Sequence, residues 1–175
     1  MLIGQIATGH FAATERNRQT LISEGVSEEA IFLTGNPVVD AVTQITSKES
    51  DSPAAQELLA KTEGTKRIIL TAHRRENFAG KMSGYFDVLK AFLEKNTDVS
   101  LIFPVHPNPN VRKITADHFE GVDRVHLVDP MPYPDFARLL SHAWLIVSDS
   151  GGVQEEAPTL KKPLLIIRDN TERPE

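Results

Sequence analysis

"WLIVSDSGGVQEEAP" occupies Trp144–Pro158, and its reading decides the fold. Four apolar residues run into a serine, an acidic residue, a second serine and two glycines, after which the pattern becomes compatible with a helix. A short, near-continuous apolar run is what a parallel strand covered on both faces requires. Glycines between strand and helix permit close approach to the backbone, and the amides that open a helix suit an anion, most often phosphate. Ser150 would add a hydroxyl donor, and Glu156, four residues after Gly152, falls on the same helical face. A carboxylate one turn beyond a phosphate site can accept hydrogen bonds from ribose hydroxyls. The "DSGG" within the turn is also a serine-protease string, so Ser150 has to be weighed as a nucleophile.

The rest of the chain alternates in the same way. Candidate strands are Ile31–Thr34, Arg67–Ala72, Ser100–Pro104, Arg124–Val128, Trp144–Ser148 and Pro163–Ile167. Between them the spacing predicts helices over Thr14–Glu24, Pro37–Ile45, Ala54–Lys61, Met82–Lys95, Asn110–His118, Tyr133–Ser141 and Gly152–Leu160. Strand–helix alternation at this spacing implies βαβ units in an α/β fold, a Rossmann-like doubly wound parallel sheet. That argues against a chymotrypsin-like enzyme, which is built from antiparallel barrels, and the lipase-type elbow needs G-x-S-x-G rather than "SDSGG". A serine hydrolase using Ser150 therefore stays a minor alternative.

Composition narrows the class further. The chain has 175 residues, 40% hydrophobic and 25% charged, as in an ordinary soluble globular protein with one domain and room for an attached segment. A formal net charge of -5 argues against a general nucleic-acid partner. No apolar run approaches the roughly 20 residues of a membrane span. The opening "MLIGQIATGHF" lacks the basic start and apolar core of a signal peptide, so a cytoplasmic protein is expected. The absence of cysteine excludes disulfides, thiolate metal sites and a cysteine nucleophile; no metal site is expected. "TSKESDSPAAQE" reads as a polar connection with Ser52 placed to cap a helix. The first residues do not resemble a first strand and "RDNTERPE" follows directly on the last one, so the chain is expected to be part of a larger protein.

In open parallel sheets, ligands bind beyond the carboxyl ends of the strands. Polar clusters fall at those ends here: "HRREN" (His73–Asn77), "HPNPN" (His106–Asn110), "DPMPYPDF" (Asp129–Phe136), "SDSGG" and "RDNTERPE". His73, nearest its strand, is expected inside the cleft. Arg168 and Arg173 are placed to neutralise phosphate. Phe136 reads as core or as one wall of a base-binding slot, with core favoured. Asp129 and Asp149 read as turn caps, and His10, His118, His126 and His142 as surface or core residues.

"FLTGNPVVDA", "TAHRREN", "HPNPNV" and "SDSGGVQEEAPTLKKPLLIIRDNTERPE" together resemble the non-hydrolysing UDP-N-acetylglucosamine 2-epimerases, in order and over nearly the whole chain. The resemblance implies the C-terminal half of a GT-B architecture of two Rossmann-like domains with the active site between them. Residues 1–34 would be the end of the first domain and an interdomain segment. Residues 35–175 would be a UDP-binding Rossmann-like domain, incomplete at its C-terminus and lacking the closing helices. It implies that His73 is catalytic and that Ser150, Gly151, Gly152 and Arg173 contact the diphosphate. Glu156 would contact the ribose and Phe136 would sit near the uracil. Arg74, Glu76 and His106 resemble positions that hold a second, regulatory UDP-GlcNAc in some bacterial members. Three residues depart from the family pattern: Met131 where some members have glutamine, Lys161 in place of a glycine, and Ala13 where proline is common. The helix before Lys161 must then end without glycine.

The implied reaction inverts C2 of the sugar, interconverting UDP-GlcNAc and UDP-ManNAc by elimination and re-addition of UDP, with no NAD or other cofactor. Carboxylates handling the C2 proton would come from the missing N-terminal domain, and the full-length protein would be a homodimer. The donor-binding domain of a GT-B UDP-sugar glycosyltransferase is the main rival, since it needs the same glycine-rich turn and ribose-contacting glutamate. A regulatory UDP-sugar-binding module without chemistry is a third reading.

Overall fold

Ile68, Ile69 and Leu70 are consecutive and almost fully buried, so the strand that carries them must be covered on both faces. In the computed structural model, which describes residues 4, 6–48, 53–73, 81–171 and 173, that strand is the centre of a parallel sheet. The chain divides into two compact units, Met1–Ala41 and Val42–Glu175.

The first unit pairs β1 (His10–Ala12) in parallel with β2 (Ile31–Leu33), His10 opposite Ile31, with α1 (Glu15–Ser23) between them in sequence. Thr14 caps α1 by accepting the Asn17 amide at 3.2 Å. Strand β1 escaped the sequence reading because three residues show no periodicity. Phe11 and Phe32 stack at 5.6 Å between ring centroids and are largely exposed. Helix α2 (Pro37–Thr46) runs across the division.

The second unit contains α3 (Pro53–Lys61), β3 (Lys66–Thr71), α4 (Lys81–Lys95), β4 (Val99–Pro104), α5 (Pro109–Phe119), β5 (Val125–Val128), α6 (Tyr133–Ser141), β6 (Leu145–Ser148), α7 (Val153–Thr159) and β7 (Leu164–Ile166). Its five strands are parallel in the order β5-β4-β3-β6-β7, the 3-2-1-4-5 order of a doubly wound sheet. Each expected strand and helix forms, with ends within one residue of the expectation. The proposed cap Ser52 lies outside the described residues.

The alternation of side chains along each strand sorts the core into two layers. Ile68, Leu70, Leu101, Phe103 and Val147 pack with Met82, Phe86 and Leu93 of α4 and Val111 and Phe119 of α5. Ile69, Ile102 and Ile146 face the other way, against Ala55 and Leu58 of α3, Leu139 and Leu140 of α6, and Val153 and Ala157 of α7. Arg124, just before β5, has φ 66°, an uncommon conformation for a non-glycine residue. Its guanidinium donates to the Leu93 and Asn96 carbonyls at 2.9 and 3.0 Å, tying the end of α4 to the sheet.

Helix α7 ends in a Schellman motif. Lys162 N donates to Ala157 O and Lys161 N to Pro158 O, both at 2.9 Å, and Lys161 takes φ 55°. A lysine thus occupies the left-handed position where a glycine carries no steric penalty. Lys161→Gly should raise stability by about 1 kcal/mol, read as a shift of the urea midpoint at unchanged slope.

Candidate functional site

The chain leaves β3 toward α4 on one face of the sheet and leaves β6 toward α7 on the other. Adjacent strands whose connections diverge in this way open a crevice at their carboxyl ends. The last paired residues there are Thr71 and Ser148. Asp149 follows immediately, and its main-chain N donates to Thr71 O at 3.2 Å. Its side chain is completely buried and accepts the His73 main-chain N–H at 3.0 and 3.1 Å, and its Oδ1 lies 3.1 Å from His73 Nδ1. The His106 ring, from the end of β4, stacks on that of His73 at 6.5 Å and 21°. His106 Nδ1 in turn accepts the Asn108 N–H at 3.2 Å. Three strand ends therefore converge on a pair of imidazoles. Asp149 is a correction to the sequence reading: it clamps two strands and a histidine rather than capping its own turn. Asp129 pairs with Arg112 at 2.7 Å.

The two glycines of the turn do different work. A Cβ on Gly151 would stand 2.8 Å from Arg173 Nη1 and 3.2 Å from Cζ, so the guanidinium lies against the glycine itself. Arg173 is held by Glu155, which its Nε contacts, and by its main-chain N, which donates to Thr171 Oγ1 at 3.1 Å. The Thr171 hydroxyl donates to Gln154 Oε1, and Gln154 Nε2 reaches Ser150 O at 3.3 Å. Gly152, by contrast, is exposed, has ordinary helical angles of φ -64° and ψ -43°, and starts α7 with no side-chain cap. A Cβ there would meet only Glu156 Oε1 and Ser150 Oγ, each at 3.9 Å. Neither conformation nor packing calls for a glycine at 152, so its absent side chain leaves open the space in front of the helix amides.

Glu156 projects into the same region. It is 5% exposed, and its Oε1 accepts the Tyr133 hydroxyl at 3.1 Å. Its Oε2 is buried and has no hydrogen-bond partner among the described residues. Burial pushes the Glu156 carboxyl above the usual carboxylate range, Tyr133 partly opposes this, and the Glu155 charge adds to it. The Tyr133 phenol is pushed up to about 12, first by burial and then by the neighbouring Glu156 charge and hydrogen bond. Phe136 and Met131 are partly buried against the core layer of α3, α6 and α7. Met131 thus turns toward the core.

Of the residues singled out in the sequence, His73, His106, Ser150, Gly151, Gly152, Glu156 and Arg173 all lie at the carboxyl ends of β3, β4, β6 and β7. Arg74 and Glu76 lie outside the described residues. Tyr133, Asp149, Gln154 and Thr171 were missed as partners. Asp149 had a signal, an acidic residue at the first position after a buried strand; the other three become visible only through tertiary contact. His73 and Asp149 form two members of a Ser–His–Asp arrangement. The third contact is not made, because Ser150 Oγ has no hydrogen bond to an imidazole among the described residues. No group of three or more metal-ligating side chains occurs among the described residues, and none of their helices is long and apolar enough to cross a membrane.

A doubly wound parallel sheet with an uncapped glycine turn, an arginine and an unsatisfied carboxylate at its switch point is the layout that nucleotide-binding α/β units use. The family model for UDP-N-acetylglucosamine 2-epimerase matches residues 1–175, and the chain belongs to that family. The UDP-N-acetylglucosamine 2-epimerase of Yersinia pestis is 42% identical over 99% of this chain and 48% of its own length. Two solved structures superpose with a TM-score of 0.90. The UDP-GlcNAc 2-epimerase of Neisseria meningitidis bound to UDP-GlcNAc is 37% identical, covering 99% of this chain and 48% of that one. The S. aureus MnaA–UDP co-structure is 36% identical, covering 99% and 45%. The chain thus spans about half the length of these relatives.

The raised Glu156 carboxyl fixes the sign of a pH effect. A group held above its unfolded value favours the protonated folded state, so its contribution is fully present below the unfolded value and lost as pH rises through the folded one. The stability of the ligand-free chain should therefore fall relative to that of Glu156→Gln as pH rises from about 4 toward 7. Urea titrations of both proteins across that range measure it.

Proposed function

We propose that this chain is the UDP-binding half of a cytoplasmic UDP-N-acetylglucosamine 2-epimerase that interconverts UDP-GlcNAc and UDP-ManNAc. The observation that carries the reading is the open space at Gly152 beside a buried, half-satisfied Glu156. A diphosphate placed there takes hydrogen bonds from the turn's amides, the Ser150 hydroxyl and Arg173, and its ribose hydroxyls satisfy Glu156 Oε2. Phe136 lies on the uracil side and His73 on the sugar side. Residues 35–175 form the nucleotide domain, and residues 1–34 belong with the domain that supplies the C2 proton chemistry. The full-length protein is a homodimer, with Arg74, Glu76 and His106 toward a regulatory UDP-GlcNAc.

The C2 proton is weakly acidic, so loss of UDP across C1–C2 has to be assisted at the leaving group. Charge develops on the β-phosphate as that bond breaks. Preorganised donors aimed at such charge contribute about 2–4 kcal/mol each, which makes the glycine turn the principal catalytic contribution of this half. The proton transfers at C2 require carboxylates from the other half.

Joined to the preceding half of its parent protein, the chain should convert UDP-GlcNAc to UDP-ManNAc with no acceptor present, followed by NMR of the sugar nucleotide. Transfer of the sugar to an acceptor in place of epimerisation would identify a glycosyltransferase donor domain. The isolated chain should bind UDP weakly and not turn over.

Gly152→Ala tests the turn alone. It should leave the thermal midpoint unchanged, because nothing lies within clashing distance of the new methyl group. UDP affinity measured by calorimetry should fall by about tenfold or more, equivalent to about 1.4 kcal/mol.

A further inference from the structure

The contacts of His73 determine which of its ring nitrogens carries the proton. Its Nδ1 lies 3.1 Å from Asp149 Oδ1, and Asp149 has no exposed surface. An ionised carboxylate oxygen only accepts, so at this distance a neutral His73 is favoured with its hydrogen on Nδ1, facing Asp149. The main-chain N–H of His73 occupies the same carboxylate, at 3.1 Å from Oδ1 and 3.0 Å from Oδ2, which fixes the base of the side chain as well. His106, stacked on it, is set the opposite way. Its Nδ1 accepts the Asn108 N–H, so its hydrogen sits on Nε2.

We propose that Asp149 is a positioning residue that locks His73 in the Nδ1–H tautomer, so that Nε2 meets the substrate as a proton acceptor. A proton gained at Nε2 gives an imidazolium whose charge faces Asp149; the C2 proton itself is left to the carboxylates of the other half. The neighbouring His106 offers a donor at its own Nε2, so the stacked pair presents one acceptor and one donor to the ligand. The assignment of tautomer rests on the geometry alone; the reaction it serves rests on the function proposed above.

Histidine-selective 15N labelling and long-range 1H–15N correlation report tautomers directly, at a pH about two units above the ordinary histidine value. His73→Gln assigns the signal among the six histidines. His73 should be Nδ1–H. In Asp149→Asn the oxygen can keep the main-chain N–H while the amide NH2 donates to Nδ1, so the tautomer should invert to Nε2–H. His106 should read Nε2–H in both proteins.

In the full-length parent, Asp149→Asn should lower kcat by about 10²–10⁴-fold, the range of a mispositioned acid–base group. KM and UDP affinity should stay within about twofold. A wild-type His73 already Nε2–H or mixed, or unchanged by Asp149→Asn, overturns the proposal whatever the variant's activity. Loss of UDP affinity and stability in step with kcat overturns it too, by assigning Asp149 a structural role. An inverted tautomer in a parent that forms no UDP-ManNAc upholds the lock and removes the proposed reaction instead.

Discussion

A central strand buried on both faces governs the organisation of the second unit. Ile68, Ile69 and Leu70 cannot be desolvated by one layer of helices, so α4 and α5 cover one side while α3, α6 and α7 cover the other. A chain that must supply helices to both faces from one set of parallel strands has to reverse its winding somewhere, and it does so between β3 and β6. The crevice is a consequence of that reversal. At that reversal the Asp149 carboxylate, itself removed from water, accepts the His73 main-chain N–H from the end of β3. Breaking one partner of such a buried contact costs more than the contact contributes net, which makes the junction rigid where a ligand needs fixed geometry.

Much of this was legible in the sequence because burial leaves a pattern in composition. "RIILTA", "SLIFP" and "WLIV" read as strands since both faces of each are apolar, and the helices between them have the spacing of one buried stripe. The glycine turn was legible for a similar reason: two glycines after a strand need an explanation that sequence context limits to a few. Strand β1 was not legible, because "HFA" is too short to show a period and is specified by its pairing with Ile31–Leu33. The contact of Tyr133 with Glu156 spans 23 residues and that of Thr171 with Gln154 spans 17, and no local pattern encodes either.

Gly151 and Gly152 illustrate how identical neighbours differ in physical role. At 151 the missing side chain is filled by the protein's own arginine, so the residue is constrained by packing in the folded chain. At 152 only Glu156 Oε1 and Ser150 Oγ come within 4 Å of that space, so the fold itself sets no constraint there. In the sequence the two glycines look alike, both suited to close backbone approach, and no local pattern separates them. Lys161 shows the converse. A residue type unsuited to its backbone angle is retained where the Schellman hydrogen bonds of α7 impose the conformation.

The partnership of Arg173 with Glu155 has a bearing on selectivity. A guanidinium already matched to a carboxylate presents little net positive charge to passing ions, and drawing it away sacrifices an existing ion pair. A small anion such as chloride would have little to set against that exchange. In the function proposed above, a ligand with two linked phosphates would engage the helix amides and the arginine together. On that reading the site would discriminate by the number of anionic groups held at once.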